Sequence, residues 1–317
     1  MNDIINSRKV VIVGCGFVGS ASAFALMQSG MFSEMVLIDV DKNRAEGEAM
    51  DIGHGISFAQ QMKIYAGTYE DIKDAAIIVI TAGAAQKPDE TRIDLIDKNA
   101  KIMKSIVDNI KEQDYKGTLL IVSNPVDILT FIALKESGFP SNRVIGSGTV
   151  LDSGRFRYVM GEHLSVDTRS VHAFIVGEHG DSELVAWSNA RVGGMSVEDF
   201  CKLRGYYNHT EHMCKIFENV KNSAYDIIEK KQATYYGIAM AVKRICQTIV
   251  RDEKSILPVS VLVQGQYGIE DVVLSLPAIV GKNGIEKIVP IEFNEDELKK
   301  LKESADVIAS VVRTQGY

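Results

Sequence analysis

Apolar and polar positions alternate in two different rhythms along this chain. In the first half, short runs that are almost wholly apolar are separated by longer stretches with helical spacing. The apolar runs are 9–13, 35–39, 63–67, 75–83, 118–125 and 143–148. Runs of this length without alternation fit strands buried on both faces of a parallel sheet. The intervening segments 20–29, 42–51, 92–114 and 126–137 read as helices, the first of them stopped by Gly30. Strand then helix, repeated, predicts a doubly wound α/β sheet over residues 1–150.

After residue 150 the rhythm changes. Residues 151–161, 211–230 and 231–252 have helical spacing, "SVHAFIVG" (170–177) reads as one strand, and "ILPVSVLVQG" and "VVLSLPAIVG" read as antiparallel strands. An α+β second domain over 151–317 is expected. Leu298, Leu301, Ala305, Ile308 and Val312 recur at the spacing of a packed terminal helix.

Composition narrows the partners. Of 317 residues, 46% are hydrophobic and 24% charged, which is ordinary for a water-soluble globular chain. The formal net charge of −7 argues against nucleic acid or an anionic membrane as partner. An anionic substrate must therefore be met by local arginines. Cys15, Cys201, Cys214 and Cys246 form no CxxC pair, which suits a reducing cytoplasm without structural zinc. The charge-free stretch Val10–Ser33 follows Arg8 and Lys9, the flank an export signal carries, but four glycines and several polar residues interrupt it. It is better read as strand, turn and buried helix.

That turn, "VVIVGCGFVGS", is G-x-G-x-x-G between a strand and a helix. Gly14 permits the tight turn, Gly16 lets backbone approach a pyrophosphate, and Gly19 packs helix on strand. The helix N-terminus offers free N–H groups to phosphate. Asp39 ends the second strand, where a carboxylate accepts from ribose hydroxyls and repels a 2′-phosphate. NAD is expected rather than NADP.

Further motifs follow strand ends. "AGAAQKPDETR" (82–92) is a small, polar segment able to act as a lid carrying Gln86 and Arg92. In "SNPVD" (123–127), Pro125 biases Asn124 away from helix and leaves its amide for a ligand. In "VLDSGRFRY" (150–158), Asp152 and Arg155 share a helix face, whereas Arg157 points elsewhere. His172 and His179 sit at opposite ends of the 170–177 strand, roughly 20 Å apart, and so serve separate purposes.

Together, GxGxxG with Asp39, "AGAAQKPDETRIDLIDKN", "SNPVD", "GTVLDSGRFRY", "GEHGDSE" and "ATYYGIA" fall in one order from about residue 8 to the C-terminus. In this the chain resembles the L-lactate dehydrogenases of the lactate/malate dehydrogenase superfamily. The resemblance implies hydride transfer between NADH and pyruvate, giving L-lactate, as the last step of homolactic fermentation. It makes His179 the proton donor, Asp152 its orienting partner, Arg155 the carboxylate clamp and Arg92 the group that polarises the carbonyl. Asn124, Gln86 and Thr234 become substrate neighbours. The NAD neighbours it implies are Gly14, Gly16, Val18, Gly19, Asp39, Arg44, Tyr69, Gly83, Ala84, Ser105, Val122, Asn124 and Ser147. In many bacterial members, residues matching Arg157 and His172 bind fructose 1,6-bisphosphate between subunits of a homotetramer. No metal is implied. Malate dehydrogenase, the nearest alternative, would need an arginine in place of Gln86. A non-catalytic NAD-binding module would need no proton donor, and an NAD-dependent glycosidase of related fold would need a cysteine and histidine metal site.

Overall fold

In a computed structural model, which describes residues 5–84, 92–205 and 209–317, the first-half alternation is realised almost element for element. β1 (Asn6–Val13), β2 (Glu34–Ile38), β3 (Lys63–Ala66), β4 (Ala75–Ile80), β5 (Thr118–Ile121) and β6 (Val144–Gly146) alternate with α1 (Phe17–Ser29), α2 (Lys42–His54), α3 (Arg92–Glu112) and α4 (Val126–Ser137). These strands lie in the order β3-β2-β1-β4-β5-β6, every neighbour parallel. The order reverses between β1 and β4, which opens a crevice at the C-terminal ends of the strands. Except in the edge strand β3, which is only half-buried, their central residues are buried on both faces, which accounts for the unalternating apolar runs. The charge-free stretch is β1, the glycine turn and α1, closed by Gly30 in the left-handed region (φ 64°). Among the described residues, no helix is long and apolar enough to cross a membrane.

The second half contributes α5 (Val150–Leu164), β7 (Val171–His172), β8 (Ile175–Val176), β9 (Leu184–Val185), β10 (Arg191–Val192), β11 (Met195–Ser196), α6 (Val197–Leu203), α7 (His209–Lys231), α8 (Tyr236–Val250), β12 (Ser255–Gln264), β13 (Glu270–Gly281), β14 (Gly284–Ile288) and α9 (Glu295–Thr314). The expected antiparallel strands are present, but they do not form a sheet of their own. β12 pairs with β6 at Ser260 and Gly146, and β13 and β14 follow, so one nine-stranded sheet spans both halves. The cause is burial: β12 and β13 are apolar on both faces and need cover on both, which an isolated ribbon lacks. Gly146 permits the junction, since a Cβ there would lie 2.5 Å from the Ser260 side chain. A second, smaller core forms around Phe156, Met160, Val192, Ile216 and Val220.

One expected element is corrected. Residues 170–177 are not a single strand: β7 pairs with β10 in a three-stranded sheet, while β8 pairs with β9 and bridges to β13 through Gly177 and Ser275. The pattern changes where the sheet changes. Val171 is buried and His172 exposed, whereas Ile175, Val176 and Gly177 are all buried.

Candidate active site

Most of the residues expected to meet NAD follow the C-terminal ends of parallel strands and so gather on one rim. Gly14 adopts φ 100°, and a Cβ on it would lie 2.5 Å from the Ala82 backbone nitrogen. A Cβ on Gly19 would lie 1.9 Å from the Gly14 carbonyl oxygen, so the turn closes only with glycine at both positions. A Cβ on Gly16 would meet nothing within 4 Å, which leaves the open approach a pyrophosphate needs. Half-buried Val18 opens α1. Asp39 Oδ2 accepts the Cys15 N–H at 2.6 Å and Oδ1 the Asp41 N–H at 2.9 Å. The acid thus braces the glycine turn while standing at the end of β2. These features fit a dinucleotide.

Gly83 and Ala84 follow β4, Val122 and Asn124 follow β5, and Ser147 follows β6. Asn99 on α3, which the motifs did not single out, ties two of these segments. Its side chain accepts the Ala84 N–H at 2.8 Å and donates to the Asn124 carbonyl at 2.9 Å. Tyr69 lies half-buried after β3, and Arg44 is exposed on α2. Ser105 is exposed midway along α3, away from the strand ends.

Beside this rim lies a cleft of about 390 Å³ whose walls include Asn124, Asp152, Arg155 and His179. α5 carries Asp152 and Arg155 on one face, and the segment after β8 brings in His179. Arg155 Nη1 donates to Asp152 Oδ1 at 2.8 Å, and His179 Nδ1 lies 2.7 Å from Asp152 Oδ2. Asp152 is buried, whereas about a quarter of the His179 side chain remains exposed to the cleft. Gln86 and the Arg92 side chain lie outside the described residues. Thr234 precedes α8 and is not among the described lining residues. Its neighbour Tyr235 stacks on Phe17 of the glycine turn, with ring centroids 5.4 Å apart, which sets that segment against the cofactor rim.

The electrostatics favour a proton donor. Burial disfavours the His179 imidazolium, but Asp152 outweighs it by charge and hydrogen bond, with help from Asp127 and Glu183. The imidazole pKa is raised to about 9. Burial opposes ionisation of Asp152 too, yet His179 and Arg155 hold its carboxyl below the usual range. Glu183 was not singled out by the motif reading. It is buried against this pair, and the ligating atoms of Asp152, His179 and Glu183 lie within 4.8 Å of one another. Burial, then the Asp152 charge, pushes the Glu183 carboxyl up to about 8. Its sequence signal is an acid followed directly by the apolar run Leu184–Trp187.

The other pair stands apart from the cleft. Arg157 is half-buried on α5 and donates from Nε to the Ser153 carbonyl at 3.1 Å. Burial and the like charge of Arg244 both lower its pKa. His172 is exposed on β7, which packs against α5. No hydrogen bond joins Arg157 to His172 among the described residues.

Comparison with known proteins agrees with this arrangement. Residues 8–146 match the family model "lactate/malate dehydrogenase, NAD binding domain", and residues 149–315 match "lactate/malate dehydrogenase, alpha/beta C-terminal domain". The chain is 50% identical to L-lactate dehydrogenase of Acetivibrio thermocellus over 314 residues, covering 99% of each. It is 51% identical to L-lactate dehydrogenase 1 of Clostridium acetobutylicum over 302 residues, covering 95% of this chain and 96% of that one. The crystal structure of the minor L-lactate dehydrogenase from Enterococcus mundtii in its ligands-bound form superposes with a TM-score of 0.94 at 42% identity, covering 97% of this chain and 98% of that one. With both halves matched and the relatives aligned end to end, the chain belongs to the lactate/malate dehydrogenase family of NAD-dependent oxidoreductases.

Proposed function

We propose that this chain works as an L-lactate dehydrogenase, reducing pyruvate to L-lactate and catalysing the reverse oxidation. The observation that carries the reading is the 2.7 Å contact between His179 Nδ1 and the buried Asp152 carboxylate, in a cleft shared with Arg155. NADH, when bound on the glycine rim, supplies the hydride for the keto carbon. His179 holds the proton for the keto oxygen, and with Nδ1 engaged by Asp152 the Nε2 edge is left for substrate. Asp152 fixes the tautomer and stabilises the imidazolium. Arg155 pairs with the substrate carboxylate. Asn124 bonds the substrate oxygen and Arg92 polarises the carbonyl, roles that rest on the family motif. In the oxidative direction His179 takes the proton back.

Gln86 assigns the substrate. It brings no charge for a second carboxylate, and an unpaired charge removed from water costs several kcal/mol. The deciding assay is NADH oxidation with pyruvate and with oxaloacetate. Pyruvate should be strongly preferred, and Gln86→Arg should move kcat/KM toward oxaloacetate by orders of magnitude. A wild-type preference for oxaloacetate overturns the assignment in favour of malate dehydrogenase.

A finer reading concerns regulation. We infer that Arg157 and His172 form an anion site for fructose 1,6-bisphosphate between subunits of a cytoplasmic homotetramer. It is supported by the engagement of both Asp152 oxygens with Arg155 and His179 rather than Arg157, by the like charge of Arg244 acting on Arg157, and by the exposure of His172.

A further inference from the structure

Three consecutive backbone amides around His179 are each taken by a different distant element. The Gly177 N–H donates to the Ser275 carbonyl on β13 at 3.0 Å. The Glu178 N–H donates to Ser304 Oγ on α9 at 2.8 Å. The His179 N–H donates to Asp127 Oδ2 on α4 at 2.7 Å. The first two acceptors are neutral. The third is a carboxylate, 2% exposed, and the lone charged side chain in the apolar stretch 126–134.

A neutral acceptor would satisfy one amide at lower cost, because a buried carboxylate must be fully bonded to be tolerated. Asp127 is bonded on both sides. Its Oδ1 accepts from Ser260 Oγ on β12 at 2.6 Å and faces Ser275 Oγ at 3.4 Å. It therefore joins α4, the two antiparallel strands and the His179 segment at one point. Asn124, on the cleft wall, lies three residues before it, so one turn serves both walls of the cleft.

We propose that Asp127 is a positioning residue for His179: its carboxylate fixes the backbone of the proton donor against α4 and β12, and its charge acts on the imidazole. This rests on His179 being the proton donor. Burial pushes the Asp127 carboxyl up to about 6, opposed by its bonds to Ser260 and the His179 amide, so it is largely ionised at neutral pH. Besides Asp127, the charges acting on His179 are Asp152 from α5 and Glu183 from its own segment. Arg155 on α5, Asp181 on the His179 segment and Lys221 on α7 line the same cleft, and Glu178 precedes His179 in the chain.

The test compares wild type, Asp127→Ala, Asp127→Asn and Ser260→Ala in pyruvate kinetics across pH, with the His179 imidazole titrated by NMR in each. Asp127→Ala should lower kcat by about 10- to 100-fold, the scale of a small misplacement of a reacting group, with pyruvate KM little changed. Asp127→Asn keeps an oxygen for the His179 N–H, so most of kcat should return. Its imidazole midpoint should nevertheless fall, because the charge is gone. Ser260→Ala should lower kcat in the same sense by less. Wild-type kcat and midpoint in Asp127→Ala overturn the proposal. If Asp127→Ala does not fold, an unmoved midpoint in Asp127→Asn together with wild-type kcat in Ser260→Ala overturns it. The NMR titration needs no substrate, so failure of wild type to reduce pyruvate would sink the parent reading alone.

Discussion

Arg155 and His179 are held by opposite oxygens of one carboxylate: Arg155 Nη1 lies 2.8 Å from Asp152 Oδ1 and His179 Nδ1 lies 2.7 Å from Asp152 Oδ2. The group proposed to clamp the substrate and the group proposed to protonate it are therefore aligned by the same buried side chain. A change at Asp152 must be felt in binding and in chemistry together.

Asp152→Asn tests that sharing. The amide keeps the shape but turns an N–H toward His179 Nδ1 or Arg155, and one buried ion-pair partner is lost. We expect kcat to fall by about 10²- to 10⁴-fold, the usual consequence of a wrong imidazole tautomer. Pyruvate KM should rise as well, since Arg155 loses its anchor. Steady-state kinetics on folded protein decide it, and a fall in kcat with unchanged KM would separate the two roles.

The raised pKa of His179 sets the direction of the pH dependence. Pyruvate reduction needs the imidazolium, so kcat/KM for pyruvate should be flat through neutral pH and fall as pH rises through about 9. Lactate oxidation needs the neutral imidazole, so its kcat/KM should climb across the same range. Initial rates in both directions between pH 6 and roughly 10 would show it. Two profiles bending the same way would remove His179 as the shared acid and base.

Much of this was legible in the chain because strands buried on both faces announce themselves as short apolar runs. The glycines of the cofactor turn and the Asp152/Arg155 helical spacing were likewise local signals. What stayed hidden depends on distant partners. Nothing near β12 says that it will join β6, since that pairing rests on Gly146 lying against Ser260. Asp127, Asn99 and Glu183 act through residues 15 to 148 positions away or through shared burial, which spacing rules do not reach. The strand at 170–177 misled for a related reason. Its β-forming residues are correct, but a change of sheet at Ala173 and Phe174 is set by what packs on either side.

Asp39 offers a test of cofactor choice that its hydrogen bonds make more demanding. Asp39→Ser removes the charge that repels a 2′-phosphate, and NADPH should gain relative to NADH by on the order of 100-fold in kcat/KM. The variant also loses the 2.6 Å bond to the Cys15 N–H, so the glycine turn loosens and KM for NADH should rise. Kinetics with both cofactors give the ratio, and an unchanged ratio would take Asp39 out of the ribose site.

The effector reading makes the widest prediction. Fructose 1,6-bisphosphate carries two phosphates, and a chain of net charge −7 gives it no long-range attraction, so local cations must supply the site. Arg157 is suited to this because Nε is spent on the Ser153 carbonyl while Asp152 engages Arg155 and His179 instead. Arg244 adds like charge nearby. Repulsion among such cations when the site is empty is relieved by phosphate, so the ligand favours whichever assembly brings them together. Coupling of the usual size would lower pyruvate KM by about 5- to 150-fold. Arg157→Gln and His172→Ala should each abolish that effect while leaving the activity of the assembled state near wild type, because neither residue lines the cleft. Pyruvate saturation with and without the effector, run beside sedimentation, is the measurement. If the effector neither lowers KM nor shifts assembly in wild type, His172 and Arg157 do not have this role.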